Sequence, residues 1–146
     1  MSSVNGIPSD GEWFLAEGTF SFIRARQNLL PLALESGLIA RVVVTWHCRS
    51  PVDGLPSETD YVEIAQFEEL LVRFLGHGAI LAFVITRDGC ANLNFYTSST
   101  EWFVERLNEA LCDKSEMPIE LSGEEDPEWS EYKAVLEATG MDGSAD

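Results

Sequence analysis

Asp88-Gly89 constrains what this chain can fold into more than any other dipeptide in it. It separates Ala79–Arg87 from Cys90–Thr97, two segments rich in β-branched, aromatic and other apolar residues. A two-residue type I′ turn needs positive φ at both central positions, which Asp-Gly supplies at least cost. The flanks are therefore predicted to pair as an antiparallel hairpin. If Arg87 opposes Cys90, then Val84 faces Leu93 and Ala82 faces Phe95 on one surface, predicted to be core. Ile85 then faces Asn92 and Phe83 faces Asn94 on the other.

The remaining elements follow from periodicity and end signals. Leu38–Cys48 is the clearest strand, because Leu38, Ala40, Val42, Val44, Trp46 and Cys48 alternate with a mixed set. Trp13–Glu17 and Thr19–Arg26 read as two short strands broken at Gly18. Asn28–Gly37 reads as a connection with one helical turn at Leu32–Glu35. Pro51–Pro56 is a turn into a helix capped by Ser57 and Asp60, with Tyr61, Ile64, Phe67 or Glu68, Leu71, Phe74 and Leu75 at helical spacing. That helix ends at Gly76-His77-Gly78. Ser98 with Glu101 starts a second helix, carried by Phe103, Leu107, Ala110 and Leu111. Met117–Leu121 is a short strand. Asp126-Pro127 reads as a cap and first helical residue, followed by Trp129, Tyr132, Val135 and Leu136 up to Gly140. After the N-terminal hairpin the order is strand, helix, strand, strand, helix, strand, then a terminal helix. The expected fold is an α+β, ferredoxin-like βαββαβ sandwich, with the N-terminal β-hairpin and the C-terminal helix as additions.

Size and charge bound the rest. The 146 residues suit one domain, with a core at about 12–138 and flexible ends at 1–11 and 140–146. Apolar residues make up 45%, too many for a disordered chain. Acidic residues number 25 against 9 basic ones, a net charge of -16. Residues 113–146 alone carry 11 acids and 2 lysines, whereas all seven arginines lie before them. Nucleic-acid binding needs clustered Lys and Arg to release counterions, so DNA and RNA are not expected ligands. The acidic balance serves solubility in the first place and attraction to a basic protein in the second; a protein partner or self-association is expected. The apolar runs are strand-sized, so no membrane span is expected. Met1–Asp10 has neither the basic nor the apolar region of a signal peptide, which points to the cytoplasm.

Three groups of residues together resemble the bacterial domain-of-unknown-function 695 family. They are Gly54-Leu55-Pro56 before an acidic helix, Thr86-Arg87-Asp88-Gly89 closing with Phe95-Tyr96, and Asp126-Pro127-Glu128-Trp129-Ser130-Glu131-Tyr132. The resemblance spans roughly Trp13–Leu136. It implies a distant similarity in fold to the regulator of ribonuclease activity B proteins, small acidic regulators that bind and inhibit an endoribonuclease. No catalytic residues come with it.

Candidate chemistry is sparse. His47 and Cys48 are adjacent on a strand, so their side chains point to opposite faces and cannot form a nucleophile and base pair. His77 between glycines is expected to cap carbonyls or meet solvent. Cys48, Cys90 and Cys112 form no Cys-x-x-Cys pair, and two histidines give little to a metal site. No glycine-rich phosphate loop, Gly-x-Ser-x-Gly or His-Glu-x-x-His occurs. No catalytic residue, metal or cofactor is expected. Among the tryptophans, Trp102 lies off the Phe103–Leu107 stripe. One surface stands out: the sheet face away from the first two helices, with Arg41, Thr45 and His47 beside Asn92, Asn94 and Tyr96, and with Leu81, Phe83 and Ile85 at its edge. Either the chain's own additions or a second subunit covers this face, or it receives a partner or ligand. Arg24 and Arg26, should they approach Arg41, would favour an anionic group there. The expected role is a non-enzymatic binding or regulatory module, with a small-molecule-binding protein or an enzyme using this face as the alternative.

Overall fold

The computed structural model describes residues 13–17, 21–26, 29, 37–113 and 117–139. Asp88 and Gly89 take φ of 53° and 77°, the left-handed pair the hairpin turn requires, and they join β4 (Ala79–Arg87) to β5 (Cys90–Thr97). The other strands are β1 (Trp13–Glu17), β2 (Ser21–Arg26), β3 (Ala40–His47) and β6 (Ile119–Glu125). They form one antiparallel sheet in the order β1-β2-β4-β5-β3-β6. With α1 (Glu58–Leu75), α2 (Thr100–Leu111) and α3 (Ser130–Thr139), the architecture is α+β.

The sheet is sandwiched. On one face, Val42, Val44, Trp46, Leu93 and Phe95 meet Ile64, Phe67 and Leu71 of α1 and Phe103 and Leu107 of α2. On the other, Ala25, Ile80, Ala82, Phe83 and Tyr96 meet Trp129, Tyr132, Val135 and Leu136 at α3. Strand parity sets this division, since successive side chains point to opposite faces. The capping box at α1 forms as expected: the Asp60 amide donates to Ser57 Oγ at 3.2 Å and the Ser57 amide donates to Asp60 Oδ2 at 3.1 Å.

Four local expectations give way to tertiary packing. A bulge between Leu81 and Phe83 moves the partner of Phe95 from Ala82 to Leu81. The extra residue reverses parity, so Leu81 joins the α1 core while Ala82 turns toward α3. Beyond the bulge, Phe83 opposes Asn94, Val84 opposes Leu93 and Ile85 opposes Asn92, as the hairpin register requires. The last strand is Ile119–Glu125 rather than Met117–Leu121, because Leu121, Ser122, Gly123, Glu124 and Glu125 find partners along β3. Pro127 does not open α3. The chain first turns at Pro127-Glu128, Trp129 takes φ of 57°, and the helix begins at Ser130. Finally, Arg24 and Arg26 border the cavities beside α1, and Arg24 pairs with Glu68 there. Arg41 faces the opposite side of the sheet, so the three do not converge. The turn expected at Leu32–Glu35 and the two chain ends lie outside the described residues.

Candidate functional site

The face singled out from the sequence is held together by its own polar side chains. The β3 to β5 register puts Arg41 beside Tyr96, Val43 beside Asn94, Thr45 beside Asn92 and His47 beside Cys90. On its other side β3 meets β6, with Arg41 beside Glu124, Val43 beside Ser122 and Thr45 beside Glu120. Arg41 donates from Nη1 to Asn94 Oδ1 and from Nη2 to Glu124 Oε2, both at 2.6 Å. Thr45 Oγ1 donates to Asn92 Oδ1 at 2.8 Å, and the Asn92 amide reaches the Ile85 carbonyl at 3.1 Å. The arginine is thus already charge-paired, and the carboxylates around it leave no net attraction for an anion.

Two of the six residues expected at this surface are not on it. Tyr96 is fully buried and Asn94 nearly so. Trp129 stacks on the Tyr96 ring with centroids 3.9 Å apart and planes 9° from parallel. Its indole Nε1 donates to the Leu38 carbonyl at 2.9 Å, which locks the stack in place. The Tyr96 hydroxyl donates to Asp126 Oδ2 at 2.7 Å, and the same carboxylate accepts the amides of Ser130 and Glu131 at the start of α3. Burial would raise the Asp126 carboxyl, but the Tyr96 hydroxyl, the two amides and the Arg41 charge outweigh it and hold it below its ordinary value. Desolvation, reinforced by Asp126, pushes the Tyr96 hydroxyl far above its ordinary range, so it stays a neutral donor. The terminal helix is therefore the cover of one half of the face, and Tyr96 belongs to its seat.

The other half carries an arrangement that local sequence reasoning misses. His47 Nε2 lies 2.5 Å from Glu120 Oε1, and His47 Nδ1 lies 3.4 Å from Cys90 Sγ. The three side chains come from three neighbouring strands, β6, β3 and β5. Cys48, the neighbour of His47 in sequence, instead packs against the α1 core. Its thiol is pushed up to about 11 by burial, with Asp60 adding to the effect. The signal for Cys90 was the strand register: pairing β3 with β5 from the hairpin outward sets position 47 against position 90. His77 is exposed in the short 3-10 turn Gly76–Gly78.

Residues 15–136 match the model of a family described as Family of unknown function (DUF695). The chain belongs to this family. Comparison with curated proteins and with solved structures finds no match. Within this family of unknown function, the role of a member lies in its site rather than in its fold. Cavities of this family member lie beside α1: one of about 340 Å³ between Trp46, Arg49, Phe67 and Met117, and one of about 240 Å³ between Arg24, Tyr61, Glu68 and Thr86. In each the cation is already paired, Arg49 with Glu63 and Arg24 with Glu68. Among the described residues no cluster of His, Cys, Asp and Glu is arranged to hold a metal ion, and no helix is long and apolar enough to cross a membrane.

Proposed function

We propose that the protein is a non-catalytic binding module that receives a basic, extended segment of a partner protein along β6, an edge strand of the sheet among the described residues. The observation that carries this reading is the direction of the β6 backbone. The His47 amide donates to the Pro118 carbonyl at 2.8 Å, and the Asp126 amide donates to the Ile39 carbonyl at 2.7 Å. In an antiparallel ladder such pairs alternate, so Glu120, Ser122 and Glu124 also turn their backbone toward β3. Leu121, Gly123 and Glu125 then turn theirs outward, at the end of the strand order. An outward row of amides and carbonyls is the template for strand addition.

Charge selects the partner. The side chains of Glu120 and Glu124 are 72% and 56% exposed along this strand. A second copy added antiparallel in the register centred on Ser122 would set Glu120 against Glu124 of that copy, which repels. Lysines or arginines at alternate positions would meet those carboxylates favourably, and the overall charge of -16 would speed their approach. The reading takes the four strands β3 to β6 with α1 and α2 as ferredoxin-like, in a single domain located in the cytoplasm. The likeness to the regulator of ribonuclease activity B proteins belongs to the same reading, on strand order and acidity.

An extended peptide of alternating Lys and Val, followed by fluorescence anisotropy, tests the edge. Binding that weakens at least about tenfold in Leu121→Pro, which removes an outward amide while leaving the β3 ladder intact, and in Glu124→Lys, is the expected result. Unchanged binding in Leu121→Pro would sink strand addition. Equal binding of an alternating Glu and Val peptide would sink the charge selection.

A further inference from the structure

We infer that Cys90, His47 and Glu120 form a thiol-exchange site, at which Cys90 reacts with a small neutral or cationic disulfide. The arrangement has the order that activates a sulfur nucleophile: a base beside the thiol and a carboxylate beyond the base. A carboxylate oxygen accepts, so in the neutral imidazole Nε2 of His47 carries the hydrogen and donates a hydrogen bond to Glu120 Oε1, 2.5 Å away. Nδ1 is then the acceptor, and it is the nitrogen 3.4 Å from Cys90 Sγ. Side-chain exposure of 46% at His47 and 72% at Glu120 leaves this end of the sheet reachable, and Cys90 itself is partly exposed.

The surroundings decide how the thiol reacts and with what. The charged groups facing Cys90 are His47 on β3, Glu120 on β6, Asp88 in the hairpin turn and its cross-strand neighbour Arg87 on β4, whose Nε lies 3.9 Å from Asp88 Oδ2, while His47 faces Cys90 and Glu120. Desolvation, with Glu120 and Asp88, raises the Cys90 thiol above its ordinary value. The thiolate is therefore not preformed at neutral pH, and a base must take the proton as the sulfur attacks. The Sγ–H proton passes to Nδ1 of His47, and Cys90 Sγ forms a bond to one sulfur of the disulfide. The disulfide's own S–S bond breaks, and its second sulfur leaves as a thiolate that takes the proton from His47. One disulfide is exchanged for another, and one thiol is consumed as one is released. Arg87 offsets Asp88, and the Glu120 carboxylate that remains disfavours an anionic reagent.

The test uses the full chain with Cys48→Ser and Cys112→Ser, so that Cys90 is the remaining thiol. Cystamine is the cationic disulfide and dithiodiglycolate the anionic one, and the mixed disulfide is followed by intact mass. Cystamine should react faster, at a neutral-pH rate above what the thiolate fraction alone supplies. His47→Gln should slow the reaction at neutral pH at least about tenfold while leaving the rate in strong base, where the thiolate is already formed, close to wild type. Glu120, a positioning residue, should on conversion to Gln slow the neutral-pH reaction, and Glu120→Asp should restore part of the rate. A wild-type profile that the thiolate fraction alone accounts for, or a His47→Gln rate equal to wild type at neutral pH, overturns the site. An anionic disulfide that reacts as fast as cystamine overturns the assigned reagent class. Because the wild-type profile is itself decisive, a variant that failed to fold would not shield the idea.

Discussion

At the scale of single residues, Asp60 serves two elements at once. It closes the capping box of α1, and its carboxylate also accepts the amides of Arg49 at 3.0 Å and Ser50 at 3.3 Å, which tie the end of β3 to the helix start. The cap could be read from Ser57 and Asp60, three residues apart, because that geometry is local. The bonds to Arg49 and Ser50 could not, since they depend on where the preceding loop returns. Asp60→Ala strands three amides at once, so it should lower unfolding free energy by about 2–3 kcal/mol in urea titration, with Asp60→Asn losing less. A loss under about 0.5 kcal/mol would mean that water replaces the carboxylate. Trp129 makes the complementary point. Its positive φ is costly for a bulky side chain, and the ring stack with Tyr96 together with the bond to Leu38 is what holds it there.

Between elements, the contact of the α1 terminus with α2 is set by one missing side chain. A Cβ at Gly78 would lie 2.1 Å from Cη2 of Trp102, whose ring packs against the core shared by α1 and α2. This explains why Trp102 departs from the Phe103–Leu107 stripe: it covers the turn that ends α1 rather than the sheet centre. Gly78→Ala should therefore destabilise by about 1–3 kcal/mol through overpacking. In a Trp102→Ala background the same substitution should be close to neutral, a coupling that a double-mutant cycle in chemical denaturation reads directly. Additive effects would show that Gly78 is needed for its backbone alone. The elements themselves were largely legible, because hairpin chemistry, the Ser57 capping box and apolar period are written within a few residues, although Ser99 rather than Ser98 caps α2. Their ends were less so: β6 extends to Glu125 because β3 offers partners, and nothing within Ser122-Gly123-Glu124-Glu125 announces a strand.

Over the whole molecule, acid should be the sensitive direction. Asp60 and Asp126 both have carboxyls held below their ordinary value by hydrogen bonds that outweigh burial. The folded state then binds fewer protons than the unfolded one, so their contribution is complete above the unfolded carboxyl range of about 3.9 and is lost as pH falls through the lower folded values. Stability followed by circular dichroism should fall off below about pH 4, and the Asp60→Asn, Asp126→Asn double variant should show a shallower acid limb. An equally steep limb in that variant would place the acid sensitivity elsewhere. The amino-acid sequence by itself determined the hairpin at Asp88-Gly89, the Ser57 cap of α1, the alternation of β3 and the excess of carboxylates, since each depends on neighbours in the chain. Tertiary structure alone decided that a bulge turns Leu81 and Ala82 to opposite cores and that Trp129 seals Tyr96 beneath α3. It also decided that Arg24 and Arg41 lie on opposite faces, and that Cys90, His47 and Glu120 meet. These depend on register and packing between segments tens of residues apart, where one inserted residue reverses every side chain beyond it.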